Sequence, residues 1–324
     1  MTPFGAQSGG FAEHKAQPSM LSLAAYRAAI TLDDPFRPAA IPAPADRLDE
    51  QVRSALRLLS VDPAVPRLGP RADSLRGPVG VDAETARRIL RALLTTRAPS
   101  PLPEGASDAV DAVLGAERHL RPTVSVDRLP TVAEEFPRSV FRAAGQTVLW
   151  RGDITTLAAD AVVNAANSAL LGCFHPLHTC IDNALHSAAG PRLRDDCHTI
   201  ITLQGASEPT GTAKITRGYH LPARYVLHTV GPVIDGRPRA SDAQALASSY
   251  RACMDVAAEV EMIRTLAFCA VSTGVFGYPK VEAAPVALRT VADWLDAHPG
   301  RLDRVVFTVF GDEDEQAYRR ALIG

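Results

Sequence analysis

A chain of 324 residues with 46% apolar content has enough material for a sizeable core, in one large domain or two smaller ones. A formal net charge of −2 lacks the basic footprint of a nucleic-acid-binding protein and offers nothing to an anionic membrane. No apolar run nears the roughly 18 residues that span a bilayer, and residues 1–20 are rich in Gly, Ser and polar residues without the apolar block of a signal peptide, so a cytoplasmic protein is expected.

In chain order, residues 1–20 read as a disordered tail. Prolines then punctuate the stretch from Pro35 to Pro130, with helical patterns between them. Leu48, Val52, Leu56 and Leu59 recur at helical spacing, with Asp46 as candidate cap. A cleaner stripe of Ala86, Ile89, Leu90, Leu93 and Leu94 follows the candidate cap Asp82 and should end before Pro99. A third helix is expected over Ser107–His119. These helices carry little chemistry, and residues 21–139 read as a helical extension packed on a main domain.

From Val140 the texture changes. Short β-branched runs at Thr147–Trp150, Ala161–Asn164, Ala213–Thr216, Tyr225–Val230, Thr265–Val271 and Arg304–Phe310 alternate with longer segments. Helices are expected at Asp182–Ala188, Ala243–Val260, Ala283–Ala297 and Glu313–Leu322. Alternation of this kind, with strands that are apolar almost throughout, implies an α/β domain over 140–324 whose mostly parallel or mixed sheet is covered on both faces. Ligands of such sheets bind beyond the carboxyl ends of the strands. That rule selects Asp153, the run from Asn164 to Asn167, and the run from Ser272 to Tyr278.

Each of those stretches has suitable chemistry. The carboxylate of Asp153, followed by Ile154, can accept a hydrogen bond from an amino group, although an Asp after Gly152 is equally at home as a turn residue or helix cap. Asn164 and Asn167, separated by two alanines, offer amide donors and acceptors suited to ribose hydroxyls; a simple turn is the plainer alternative. Ser272-Thr273-Gly274-Val275-Phe276-Gly277-Tyr278 joins a strand to a helix, and its glycines permit a turn whose backbone N–H groups face an anion. It lacks the Lys-Ser/Thr ending of a nucleotide-hydrolysing loop.

Five cysteines in a reducing compartment are free thiols or metal ligands rather than disulfides. Cys173, His178 and Cys180 form a compact donor set, with His175 as a rival ligand. Three protein ligands leave a fourth position open, the pattern of a catalytic zinc site. Asp182 follows two residues later.

Taken together these stretches resemble the macrodomain family, which has a three-layer α/β/α fold. The matching pieces are Gly152-Asp153-Ile154-Thr155, Val163-Asn164-Ala165-Ala166-Asn167-Ser168, Ala188-Ala189-Gly190-Pro191, Thr210-Gly211-Thr212-Ala213, His228-Thr229-Val230-Gly231-Pro232 and Ser272 to Pro279, in the family's order. Many hydrolytic macrodomains carry a run of glycines where this chain has Cys173-Phe174-His175-Pro176-Leu177-His178-Thr179-Cys180. That departure resembles the zinc-dependent microbial branch, whose members carry a helical N-terminal extension. The resemblance implies a protein-ADP-ribose hydrolase with Zn²⁺ on Cys173, His178 and Cys180. It implies Asp182 and Asn167 as catalytic residues. It implies substrate contacts from Asp153, Ile154, Asn164, Asn167 and the loop Ser272, Thr273, Gly274, Val275, Phe276, Gly277, Tyr278. The implied substrates are ADP-ribose and ADP-ribosylated proteins, linked through Asp or Glu. A lipoyl-carrier protein as target and a sirtuin-like ADP-ribosyltransferase as functional associate are implied as well. A non-catalytic ADP-ribose-binding module and an O-acetyl-ADP-ribose deacetylase would use the same cleft.

Overall fold

A computed structural model describes residues 20–72 and 81–323. The expected tail at residues 1–20 lies, but for Met20, outside the described residues.

The centre of the molecule is a six-stranded sheet of β2 (Thr147–Arg151), β8 (Arg304–Val309), β7 (Thr265–Phe268), β4 (Ala161–Ala165), β6 (Tyr225–Thr229) and β5 (Ala213–Arg217), in that spatial order. Every neighbouring pair is parallel except β5 with β6, so the sheet is mixed with one antiparallel edge. The inner strands are buried along almost their whole length. Such continuous burial requires cover on both faces and explains why these segments read as apolar runs rather than alternating ones. Helices α6 (Ile181–Ala189), α7 (Pro191–Gln204), α8 (Ala240–Ala258), α9 (Lys280–Ala297) and α10 (Asp312–Ile323) supply that cover. A further parallel pair joins β1 (Val124–Ser125) to β3 (Leu157–Ala158).

All six expected strands form, with ends shifted by a few residues. Helix α7 was not expected. Its start at Pro191 and its stop at Gly205, in the left-handed region at φ 68°, are ordinary boundary signals. Its apolar stripe is only Leu193, Cys197 and Ile200, among charged neighbours.

The N-terminal helices form a second core. Helices α2 (Leu48–Leu58), α3 (Ala83–Thr96) and α4 (Ala106–Leu120) bury Val52, Leu56, Leu59, Ile89, Leu93 and Val110 against one another. Asp82 caps α3 by accepting from the Thr85 N–H, as expected. Asp46 does not cap α2: it lies inside a 3₁₀ turn, Ala45–Arg47, that leads into the helix. The expected boundary between 139 and 140 does not coincide with the division of the packing. Leu23, Tyr26, Val126 and Val132, from the short helices α1 (Leu23–Tyr26) and α5 (Val132–Glu135) and nearby turns, belong to the core of the sheet. Tyr26 also reaches the open edge of the sheet, where its hydroxyl oxygen accepts from the Ile215 N–H of β5.

Two groups tie the helical unit to the sheet domain. Asp111 of α4 accepts from Arg192 at 2.5 Å, from His220 at 3.0 Å and from the Ala39 N–H at 2.6 Å. Arg194 of α7 donates back to the carboxyl end of α3.

Candidate functional site

Because the inner strands are parallel, the ends of β2, β8, β7 and β4 open on one edge of the sheet. The expected site residues sit along that edge. Asp153 follows β2, Ser272–Tyr278 follows β7, Asn164 is the penultimate residue of β4, and the Cys173–Cys180 loop lies between β4 and α6.

At the β2 end, Asp153 is exposed and Ile154 is buried beneath it. One Asp153 oxygen accepts from the Thr155 N–H at 2.9 Å and from the Thr155 hydroxyl at 2.7 Å, capping the turn Ile154–Thr156. Cap and ligand acceptor are compatible roles here, because among the described residues the second oxygen has no partner. On the neighbouring strand, Phe310 follows the end of β8, and its aromatic side chain is 80% exposed. Sequence reading assigned Phe310 to the strand and did not single it out. An aromatic side chain at the last position of an apolar run, just before Gly311, was the available signal.

The β7 loop is folded back on itself. Tyr278 donates its N–H to the Ser272 carbonyl and Gly277 to that of Gly274. Tyr278 and Ser272 are buried; Gly274, Val275 and Gly277 are exposed and Phe276 half-buried. Among the described residues no backbone group accepts from the N–H groups of Gly274, Val275 and Phe276. The segment after β6 presses close against this loop: a Cβ on Gly231 would lie 2.0 Å from the Ser272 hydroxyl. Ile234 donates its N–H to the Phe276 carbonyl, which fixes the second wall.

At the β4 end, Asn164 is fully buried. Its amide donates to Asp182 at 2.8 Å and lies 3.2 Å from His228 Nδ1. That geometry makes the Asn164 amide nitrogen a support for the Asp182 carboxylate, while its Oδ1 has no hydrogen-bond partner among the described residues. Asn167 is half-buried; its amide donates to the Gly172 carbonyl and accepts from the Ala169 N–H, holding the loop that leads to the cysteines. Asp182 sits in the first turn of α6, 5% exposed, with His186 Nε2 3.4 Å away. Burial pushes its carboxyl up to about 6, against the opposing pull of the Asn164 hydrogen bond and the Arg194 charge. Burial drives the His186 imidazole well below its usual range and that of His228 down to about 3, so both rings are neutral.

The donor set converges as expected. The Cys173 and Cys180 sulfurs and a His178 ring nitrogen lie within 4.8 Å of one another; His175 is not part of the group. The residues present suit a zinc ion on three counts. Two thiols and an imidazole are its preferred donors. His178 Nδ1 is buried and has no hydrogen-bond partner among the described residues. Asn183 donates its backbone N–H to Cys180 and its side-chain amide to Cys173, at 3.3 and 3.4 Å, which orients both sulfurs. Burial, and after it the neighbouring Cys173 sulfur, push the Cys180 thiol up to about 12.

The family profile described as Macro domain matches residues 163–287. A protein-ADP-ribose hydrolase of Treponema medium is 49% identical over 181 residues, which are 56% of this chain and 69% of that protein. A protein-ADP-ribose hydrolase of Staphylococcus aureus strain Mu50 is 42% identical over 235 residues, covering 72% of this chain and 84% of the relative. This chain belongs to the macrodomain family. A crystal structure of the Trypanosoma brucei macrodomain in complex with ADP-ribose superposes on 71% of this chain and 94% of its own, at 32% identity and a TM-score of 0.54. This macrodomain therefore shares its fold with a solved macrodomain. The S. aureus match is longer than the sheet domain alone, so it takes in part of the sequence before Val140.

Proposed function

We propose that this macrodomain hydrolyses the bond between the distal ribose of ADP-ribose and an Asp or Glu side chain of a modified protein. The observation that carries the reading is the convergence of Cys173, His178 and Cys180 immediately ahead of the buried, hydrogen-bonded Asp182. The curated relatives bear hydrolase names, and the strand-end cleft suits a dinucleotide-like ligand.

The second Asp153 oxygen accepts from the adenine amine, and Phe310 offers its ring to the base. The free N–H groups of Gly274, Val275 and Phe276 bind the diphosphate. Binding so far from the reacting bond holds the anomeric carbon at the β4 end. There Asn164 aims one Asp182 oxygen, and the carboxylate takes a proton from the attacking water. Water adds to the ribose carbon, the carbon–oxygen bond to the side chain breaks, and the side chain leaves as a carboxylate. Cys173, His178 and Cys180 would hold zinc, which would supply Lewis-acidic positive charge when bound. Asn167 keeps the loop between the two parts in place.

The test is release of ADP-ribose from an Asp/Glu-modified protein, using enzyme of measured zinc content before and after chelation, with circular dichroism alongside. Turnover lost on a still-folded, zinc-depleted protein and restored by zinc is the expected result. Turnover indifferent to zinc leaves a metal-independent hydrolase. No turnover with bound ADP-ribose favours a binding module, and turnover of O-acetyl-ADP-ribose alone favours the deacetylase. An ADP-ribosylated lipoyl-carrier protein is the specific substrate to assay next, in a cytoplasmic setting shared with a sirtuin-like ADP-ribosyltransferase.

A further inference from the structure

The loop that carries the metal donors does not hold its own shape. Between Leu170 and Leu177 three non-glycine residues have positive φ: Leu170 at 57°, Phe174 at 54° and Leu177 at 57°. Gly172 joins them at 83°. Left-handed backbone at bulky residues costs energy and persists only where surrounding contacts impose it. The imposing contacts can be identified.

Leu170 is fully buried in a small cluster with Ala166, Cys197 and Val230, all from the sheet domain. Leu177 goes the other way. It leaves the loop one residue before His178 and packs against the core of the N-terminal helices. Phe174 lies on the guanidinium of Arg194, with 4.9 Å between ring centroid and Cζ. Arg194 is 2% exposed and bonds to both bodies at once. Its Nε donates to the Leu171 carbonyl of the loop at 2.7 Å. Its terminal nitrogens donate to the carbonyls of Leu94, Thr95 and Arg97, all at 2.9 Å. Those are the unsatisfied carbonyls at the end of α3, where the helix dipole also favours a cation. A Cβ on Gly172 would lie 3.0 Å from Arg194 Nη2 and 3.3 Å from His186, so the backbone runs tight against both.

We infer that the N-terminal helical unit is part of the metal site, with Leu177 and Arg194 as positioning residues that hold the Cys173–Cys180 loop in its ligating shape. The inference rests on the zinc reading for its functional consequence, but the clamp itself does not require an ion. Leu177 sits between the two bodies and next to His178, so shortening it loosens the ligand while leaving each core intact. Arg194 cannot be replaced by Lys without loss, because one ammonium cannot serve four carbonyls in two directions and stack on Phe174.

The experiment uses the full chain with Leu177→Ala, Leu177→Met and Arg194→Lys. Zinc affinity is read by competition with a chromogenic chelator. Backbone hydrogen exchange over residues 171–180 is read in the metal-free protein, and circular dichroism checks the fold. Leu177→Ala is expected to weaken zinc binding by roughly 10–100-fold, the range for residues that orient ligands. It should also speed exchange in the loop of the metal-free protein and lower kcat with little change in KM. Leu177→Met, which refills the same contact, should restore all three. Arg194→Lys should act in the same direction as Leu177→Ala.

Unchanged loop exchange and zinc affinity in a folded Leu177→Ala protein would overturn the inference. Should Arg194→Lys fail to fold, the Leu177 pair decides. If the native protein binds no zinc, the zinc reading fails. The clamp then stands or falls on hydrogen exchange alone.

Discussion

At the Asp153 end of the cleft the chain organises itself locally. Asp153 caps its own turn through Thr155, and the β7 loop closes through its own hydrogen bonds between residues at most six apart, with one added bond from Ile234. At the Cys173 end the shape is imposed from a distance. Arg194 reaches carbonyls roughly a hundred positions away, and Leu177 is held by helices that precede the sheet altogether. The contrast follows from what each end does. An end that binds base and diphosphate needs exposed donors and acceptors on strand termini. An end that holds a metal and a buried carboxylate needs several side chains fixed relative to one another, and a loop with left-handed residues cannot provide that alone.

Substitutions at the two ends should therefore fail differently. The largest effect is expected from Asp182→Asn, which keeps the shape and the Asn164 neighbourhood but removes the proton acceptor. Single-turnover rates should fall by roughly 10²–10⁴-fold while ADP-ribose affinity, measured by calorimetry, holds. A variant that turned over normally would remove Asp182 from the chemistry. Phe310→Ala should do the reverse. Loss of a stacked base costs about 1–3 kcal/mol, so ADP-ribose affinity should drop roughly 5- to 150-fold with kcat preserved at saturation.

The seam between helical unit and sheet domain offers a third test, through pH. Burial raises the Asp111 carboxyl, but hydrogen bonds from His220, Arg192 and the Ala39 N–H outweigh it and bring the pKa down to about 2. A carboxyl depressed in the folded state stabilises it at every pH above its ordinary value near 4, and that contribution fades as pH falls from about 4 through 2. The seam should thus lose about 1–2 kcal/mol on acidification across that window, after allowance for solvent screening. Asp111→Asn should remove this part of the acid dependence in denaturant titrations; a native-like pH profile in the variant would dissociate the seam from Asp111. The smallest effect is expected from Asp153→Ala. One hydrogen bond to the adenine amine, worth about 0.5–1.5 kcal/mol, should be lost from ADP-ribose affinity, with no change in zinc content.

Much of the sheet domain was legible in the sequence because it follows from short-range rules. Six apolar β-branched runs became six strands, and their alternation with helices identified the architecture. The donor set was legible too, since Cys173, His178 and Cys180 lie within one short loop. Helix α7 escaped because its apolar stripe is narrow and its buried Arg194 and Asp196 look like surface residues in a linear reading. The bond from Asn164 to Asp182 escaped for a related reason: an amide at a strand end can face many partners, and only the position of α6 brings the carboxylate to it.

The amino-acid order alone therefore determined the strands, most of the helices and the grouping of the Cys173, His178 and Cys180 donors in one loop. These depend on periodicity, capping and chemistry within a few residues of one another. The tertiary structure alone decided which helical core Leu177 enters, which carbonyls Arg194 joins, and that Phe310 stands exposed after the strand neighbouring β2. Those contacts bring together residues far apart in the chain. No local pattern encodes them, because the free energy that selects them comes from packing and hydrogen bonding across the whole assembled fold.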